Sequence, residues 1–204
     1  AFVVQQLQAA GAIIIGKENM HELAAGGTSD NPHYGTVRNP WNLDHIPAGS
    51  SGGAGANVAA CVTFASLGTD IGGSVRTPAA YCGVVGLKPT FGRVSQRGMI
   101  ATTFHGDHIG PLTRTVADAA LVLQVLAAYD ALDPSSVPME VRDYTRLLPK
   151  GLEGVTVGVP TDFYFVDIDE EVDKLTRVAI AQLAEMGAEI REVSLPTLRY
   201  ADSL

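Results

Sequence analysis

Cysteine is scarce in this sequence: Cys61 and Cys82 are the only two. That excludes a disulfide-stapled scaffold, and both read as free thiols buried in apolar surroundings. Basic charge is also in deficit, with 14 Lys and Arg against 22 Asp and Glu and a formal net charge of -8. Gripping a polyanion needs clustered Lys and Arg, so no nucleic-acid partner is expected. No apolar run reaches the roughly 20 residues that cross a bilayer, and no basic leader with a cleavage site opens the chain. No membrane association and a reduced, cytoplasmic location are the expectation. Neither G-x-x-x-x-G-K-[ST] nor G-x-G-x-x-G occurs, so nucleotide binding has no motif behind it.

What is present is an ordinary globular balance. Of 204 residues, 46% are hydrophobic and 18% charged, enough to bury a sizeable core. Ala1 falls inside a helical pattern without a methionine, and Leu204 ends in polar sequence, so the chain reads as part of a longer protein.

Periodicity gives the elements. Phe2, Val3, Leu7 and Ala10 recur at helical spacing before Gly11. Ala12 to Ile15 reads as a short buried strand, with a short helix around His21 to Ala25. Residues 26–49 are rich in Gly, Pro, Asn and Asp and form a long irregular loop of the kind that often carries function. Within it Tyr34 and Trp41 are candidate walls for a substrate pocket, or simple packing residues. Ser51 to Ala65 fits a helix, 66–69 a strand end, 76–81 a helical turn or two, and Val84 to Leu87 a strand. Loop and a short strand are expected over Phe91 to Met99. Thr115 to Ala128 predicts a helix capped by Thr115, with Val116, Ala119, Ala120, Leu123 and Leu126 on one face. Residues 130–154 read as a surface excursion and not as a domain break. Val155 to Val159 is a strand, Glu170 to Met186 an amphipathic helix with Val172, Leu175, Val178, Ala179, Leu183 and Met186 inward, and Ala188 to Val193 a further strand. The alternation predicts an α/β fold with a mixed β-sheet core flanked by helices on both faces.

Two Ser/Gly clusters punctuate the middle of the chain, Gly49-Ser50-Ser51-Gly52-Gly53 and Gly72-Gly73-Ser74, joined by a run of small apolar residues. Glycine lets the main chain curl and lets a ligand approach it closely. In Asp70-Ile71-Gly72-Gly73-Ser74 the amides of Ile71, Gly72, Gly73 and Ser74 are able to converge on one point beside the Ser74 hydroxyl. One short loop then supplies a nucleophile and an oxyanion hole. The bland alternative is a Gly-rich turn that packs tightly or holds a phosphate. The proton acceptor is less legible, because His21, His33, His45, His105 and His108 carry no spacing signature. His105 and His108, with Asp107 between them, are metal-ligand candidates or ordinary packing residues. A lysine held neutral by burial, or a second serine acting as relay, would also serve.

The stretch PAGSSGGAGANVAACVTFASLGTDIGGSVRTPAAYCGVVGLKPTFGRVS, with AAGAIIIGKENMHELA before it and DHIGPLTRTVADAALVL after it, resembles the amidase signature family as far as about Tyr129. The resemblance implies a single amidase signature domain over 1–204, incomplete at both ends, and an amidase that cleaves the C–N bond of a carboxylic amide through an acyl-enzyme. It implies a Ser–Ser–Lys triad in which Ser74 is the nucleophile and Ser50 the relay, preceded by a cis Gly49–Ser50 peptide. The loop Ile71, Gly72, Gly73 and Ser74 becomes the oxyanion hole, with Ser51, Asp70 and Arg76 in support. The base lysine of the family lies upstream of Ala1, outside this chain; Lys17 and Lys88 match other positions. Ala48 stands where the family usually has Gly. No metal or cofactor is implied; the partner is a small-molecule amide, and a homodimer is compatible. The alternatives are the glutaminase subunit of a tRNA-dependent amidotransferase and a non-catalytic core without its base. In those subunits Gln commonly follows the Asp of D-x-I-G-P, whereas here His108 does, which leans toward a stand-alone amidase.

Overall fold

The structure is a computed structural model and describes residues 1–103, 106–146 and 148–203. It forms two compact units, 1–145 and 146–204, which divide inside the polar stretch read as a surface excursion.

The first unit is built on a three-stranded antiparallel sheet. Strand β5 (Ile109–Thr113) lies between β3 (Ala65–Thr69) and β4 (Val85–Gly86). Side chains alternate across β5, so its two faces serve two cores. Leu112 packs with Ala54, Val58, Val75 and Ala79, which come from helix α2 (Gly52–Ala59), helix α3 (Arg76–Cys82) and the residue before it. Ile109 packs with Val3, Val94 and Leu126, from helix α1 (Phe2–Ala9), a loop and helix α4 (Val116–Leu126). Helices thus cover both faces of this sheet. Pro111 is tolerated in the middle strand because its carbonyl still accepts from the Leu87 amide, and only its missing N–H is lost to the ladder. Thr115 caps α4 by accepting from the Asp118 amide, the role its sequence position predicts. Strands β1 (Asp30–Asn31) and β2 (Gly35–Thr36) form a small hairpin inside the long loop.

Several expectations are corrected. Ala12 to Ile15 is not a buried strand: Ile13 is 87% and Ile15 68% exposed, and no backbone bond among the described residues reaches Ile13 to Lys17. The helix from Ser51 is shorter than its composition suggests, because Cys61 takes a left-handed φ of 59° and turns the chain out. Cys61 is therefore exposed, while Cys82 is buried. No strand forms over Phe91 to Met99. Val116 is 59% exposed, since α4 offers only Ala119 and Leu126 fully to the core.

The second unit pairs β6 (Thr156–Pro160) with β7 (Glu189–Val193) in parallel, joined by helix α5 (Glu170–Glu185). Asp169 caps α5 through the amides of Glu171 and Val172. The apolar face of α5 is present, but none of its residues is buried; Val172, Leu175 and Val178 are about half exposed. Two strands and one helix do not offer enough surface to cover it.

Candidate active site

The site assembles at the end of β3 where the chain leaves the sheet for α3. Asp70 follows β3 directly and exchanges both backbone hydrogen bonds with His108, at 2.8 and 3.1 Å. Its side chain is fully buried. One carboxylate oxygen accepts from the Gly73 amide at 2.9 Å and from Arg76 Nη2 at 2.9 Å. The other accepts from the amides of Val75 and Arg76 and from Arg76 Nε. Burial alone would raise this carboxyl, but the Arg76 guanidinium and the Val75 and Arg76 amides hold it below the ordinary carboxylate range. In isolation the Asp70–Arg76 pair resembles a surface ion pair; in the fold it is a buried anion that folds the loop back on itself.

That loop curls as the glycines predict. Gly73 has φ 127°, a region open to few other residues. Its amide is committed to Asp70, so the donors left without a partner among the described residues are the amides of Ile71, Gly72 and Ser74. Ser74 itself is half-buried.

The second cluster is brought against the first. The Ser51 amide donates to the Ser74 carbonyl at 3.1 Å, so the two Ser/Gly loops meet. The Ser51 hydroxyl lies against the Thr69 backbone, accepting from its amide at 3.3 Å and donating to its carbonyl at 3.4 Å. Ser51 therefore fastens the start of α2 to the end of β3. Residues 49–53 also spell G-x-S-x-G around Ser51, but no strand leads into it, so the strand–turn–helix elbow of that motif is not formed. The Gly49–Ser50 peptide is cis. Ser50 is fully buried, and its hydroxyl is a buried side-chain polar atom without a hydrogen-bond partner among the described residues. Ala48 has φ 61°, the left-handed conformation that a glycine would adopt more readily.

Sequence reasoning missed Ser29. This fully buried residue reaches from the long loop into the turn that carries Ser50, touching the carbonyls of Ala48 and Ser50 and the amide of Gly52. Its only sequence signal is membership of a long ordered loop, and nothing there separates it from Thr28.

No imidazole among the described residues hydrogen-bonds the Ser50 or Ser74 hydroxyl, although the His21 amide donates to the Ser50 carbonyl at 3.0 Å. His108 Nδ1 donates to the Gly106 carbonyl at 2.7 Å, which leaves Nε2 to accept from Lys88 Nζ at 3.2 Å. His105 lies outside the described residues, and Asp107 accepts from the Thr102 amide. Among the described residues no three His, Cys, Asp or Glu side chains converge as a metal site. Lys17 is exposed, and no hydrogen bond joins it to either serine. Trp41 is turned to Cys82, its indole N–H donating to that carbonyl at 2.7 Å, and Tyr34 is 82% exposed. No helix among the described residues is long and apolar enough to cross a membrane.

The family model described as Amidase matches residues 1–204. The chain is 49% identical over 196 residues to a glutamyl-tRNA(Gln) amidotransferase subunit of Trichlorobacter lovleyi, covering 96% of this chain and 40% of the relative. It is 50% identical over 200 residues to the protein of the same name from Syntrophus aciditrophicus, covering 98% of this chain and 41% of the relative. Among solved structures, the corresponding glutamyl-tRNA(Gln) amidotransferase subunit from Thermotoga maritima superposes with a TM-score of 0.94 at 40% identity, over 98% of this chain and 44% of that one. The peptide amidase of Stenotrophomonas maltophilia superposes with a TM-score of 0.90 at 37% identity, over 100% and 43%. The chain spans about two-fifths of the length of the curated relatives it matches.

Proposed function

This chain belongs to the amidase family, and we propose that the protein hydrolyses a carboxylic amide with Ser74 as nucleophile and Ser50 as proton relay. Both compact units then form parts of one amidase signature domain. The observation that carries this reading is the buried, unpartnered hydroxyl of Ser50 in a turn bonded to the Ser74 loop. A buried hydroxyl with no partner is a cost unless something else meets it. In this reading that partner is the base lysine, delivered by sequence outside residues 1–204. Neutral lysine draws a proton through Ser50 from Ser74, and Ser74 Oγ bonds to the amide carbon. The amides of Ile71, Gly72 and Ser74 hold the oxyanion, while Gly73 serves the Asp70 brace. The amine leaves with the proton returned along the relay, and water then cleaves the acyl-enzyme. The substrate is a small-molecule amide.

Two observations support a route for the lysine. Ala65 and Leu67 turn their backbone groups away from β5, because the bonded pairs on β3 fall at Asp70, Gly68 and Ser66. Across an apolar cavity of about 920 Å³ from that edge runs the unpaired segment Ile13 to Lys17. A strand seated there would pair both edges, and β3 runs on from the cavity to Thr69, whose backbone bonds the Ser51 hydroxyl.

The test is turnover by the full-length protein. Ser74→Ala should lower amide hydrolysis by at least about 10³-fold. Turnover by that variant near the wild-type rate would end the assignment. A second reading, the ammonia-producing component of a tRNA-dependent amidotransferase, is favoured by the 49–50% identity to amidotransferase subunits. It uses the same two serines. Ammonia release from glutamine, dependent on partner proteins and coupled to tRNA amidation, selects it; hydrolysis of simple or peptide amides by the lone protein selects the first.

A further inference from the structure

We infer that Ser29 is the positioning residue for Ser50, acting through the main chain on both sides of the Gly49–Ser50 peptide. This rests on the amidase reading above. Ser29 comes from the long loop, far in sequence from the turn it touches. Its hydroxyl lies 2.8 Å from the Ala48 carbonyl oxygen and 3.2 Å from that of Ser50, and accepts from the Gly52 amide at 3.1 Å. One proton shared between two carbonyls and one lone pair given to an amide use its capacity almost fully. The three groups belong to residues 48, 50 and 52, so a single oxygen is the hub of the turn.

The surroundings are shaped for that contact. A Cβ on Gly52 would fall 2.2 Å from the Ser29 oxygen, so only glycine leaves the notch it occupies. Backbone atoms of Gly26, Gly27 and Ser29 would meet a Cβ on Gly49 within 3.1 Å, so the loop lies directly on that peptide. The Ser50 carbonyl has a second donor, the His21 amide at 3.0 Å. Ser29 takes φ 55°, a conformation in which a side chain is kept only where its contacts hold it. The Ser50 hydroxyl, by contrast, makes no hydrogen bond among the described residues. Its direction is therefore set by the backbone of residues 48–52, and that backbone is set by Ser29. A displacement of about 1 Å at such a group can cost about 10²-fold in rate without touching substrate binding.

The experiment compares wild type, Ser29→Ala and Ser29→Gly in the full-length protein. The glycine variant relieves the positive φ while removing the hydroxyl, so it stays informative if the alanine variant folds poorly. Three quantities are read: kcat and KM on one amide, the rate at which a phosphonofluoridate labels Ser74, and the melting temperature. Both variants should lose about 10- to 100-fold in kcat, with KM within about threefold and a parallel fall in labelling rate. A folded variant that keeps kcat and labelling within twofold of wild type overturns the inference. So does a kcat loss that only tracks the folded fraction, or a change confined to KM. A wild type that neither turns over amides nor labels at Ser74 overturns the amidase reading itself, and this inference with it.

Discussion

Asp70 is where single-residue physics matters most. A fully buried carboxylate surrounded by three amides and a guanidinium is worth little net if replaced wholesale, but removing its charge alone strands the donors. Asp70→Asn should destabilise the protein by about 3 kcal/mol and lower kcat, because the Gly73 turn behind the oxyanion hole loosens. Denaturant melts of both proteins check the first part. The pH dependence has a definite sign. Because the folded carboxyl sits below its ordinary value, its contribution is fully present above the unfolded value of about 3.9 and fades as pH falls through the folded one. The gap in stability between wild type and Asp70→Asn should therefore be constant from neutral pH to about 5 and begin to narrow below about 4. A gap that does not narrow as pH falls below about 4 would deny Asp70 this role. Cys82 sits at the same scale, its thiol pushed up to about 11 by burial and so inert beside exposed Cys61.

Among elements, β5 does the most. It is the middle strand, its two faces feed two cores, and its N-terminal neighbour His108 bonds the backbone of Asp70. Leu112→Ala opens a hole between α2, α3 and the sheet and should cost about 2–5 kcal/mol. A thermal melt measures it; a loss under about 1 kcal/mol would mean the α2–α3 face repacks freely. The helices differ in how well they were legible. Thr115 marked the start of α4 because a side-chain cap is local chemistry, whereas the Asp169 cap of α5 emerged only in the structure. The end of α2 was not legible, since a helix-compatible run of small residues gives no stop signal, and Cys61 supplies the break through a backbone angle alone.

For the whole molecule, the unpaired backbone from Ile13 to Lys17 and at the free edge of β3 makes a prediction about the complete protein. Backbone donors buried without a partner are rare, so covering this exposed segment in the complete protein calls for a pairing strand. If a strand from the rest of the chain fills the cavity between these edges, the amides of Ile14 and Leu67 should exchange with solvent as slowly as β5. Fast exchange of both in the full-length protein would refute the filled cavity and the route it gives the lysine.

The residue string by itself determined the Ser/Gly stretch, the α/β alternation, the side-chain cap of α4, and the candidacy of Ser74 with Ile71 to Ser74, while Ser50 entered through the family resemblance. These depend on neighbours within a few positions, where spacing and conformational freedom are local quantities. Tertiary structure alone decided that Asp70 is fully buried and bonded to three amides, that Gly73 spends its amide on it, and that Ser51 ties α2 to β3. It alone singled out Ser29. Each of these depends on which atoms of distant segments share a donor or lose their water, and that is set by packing in three dimensions.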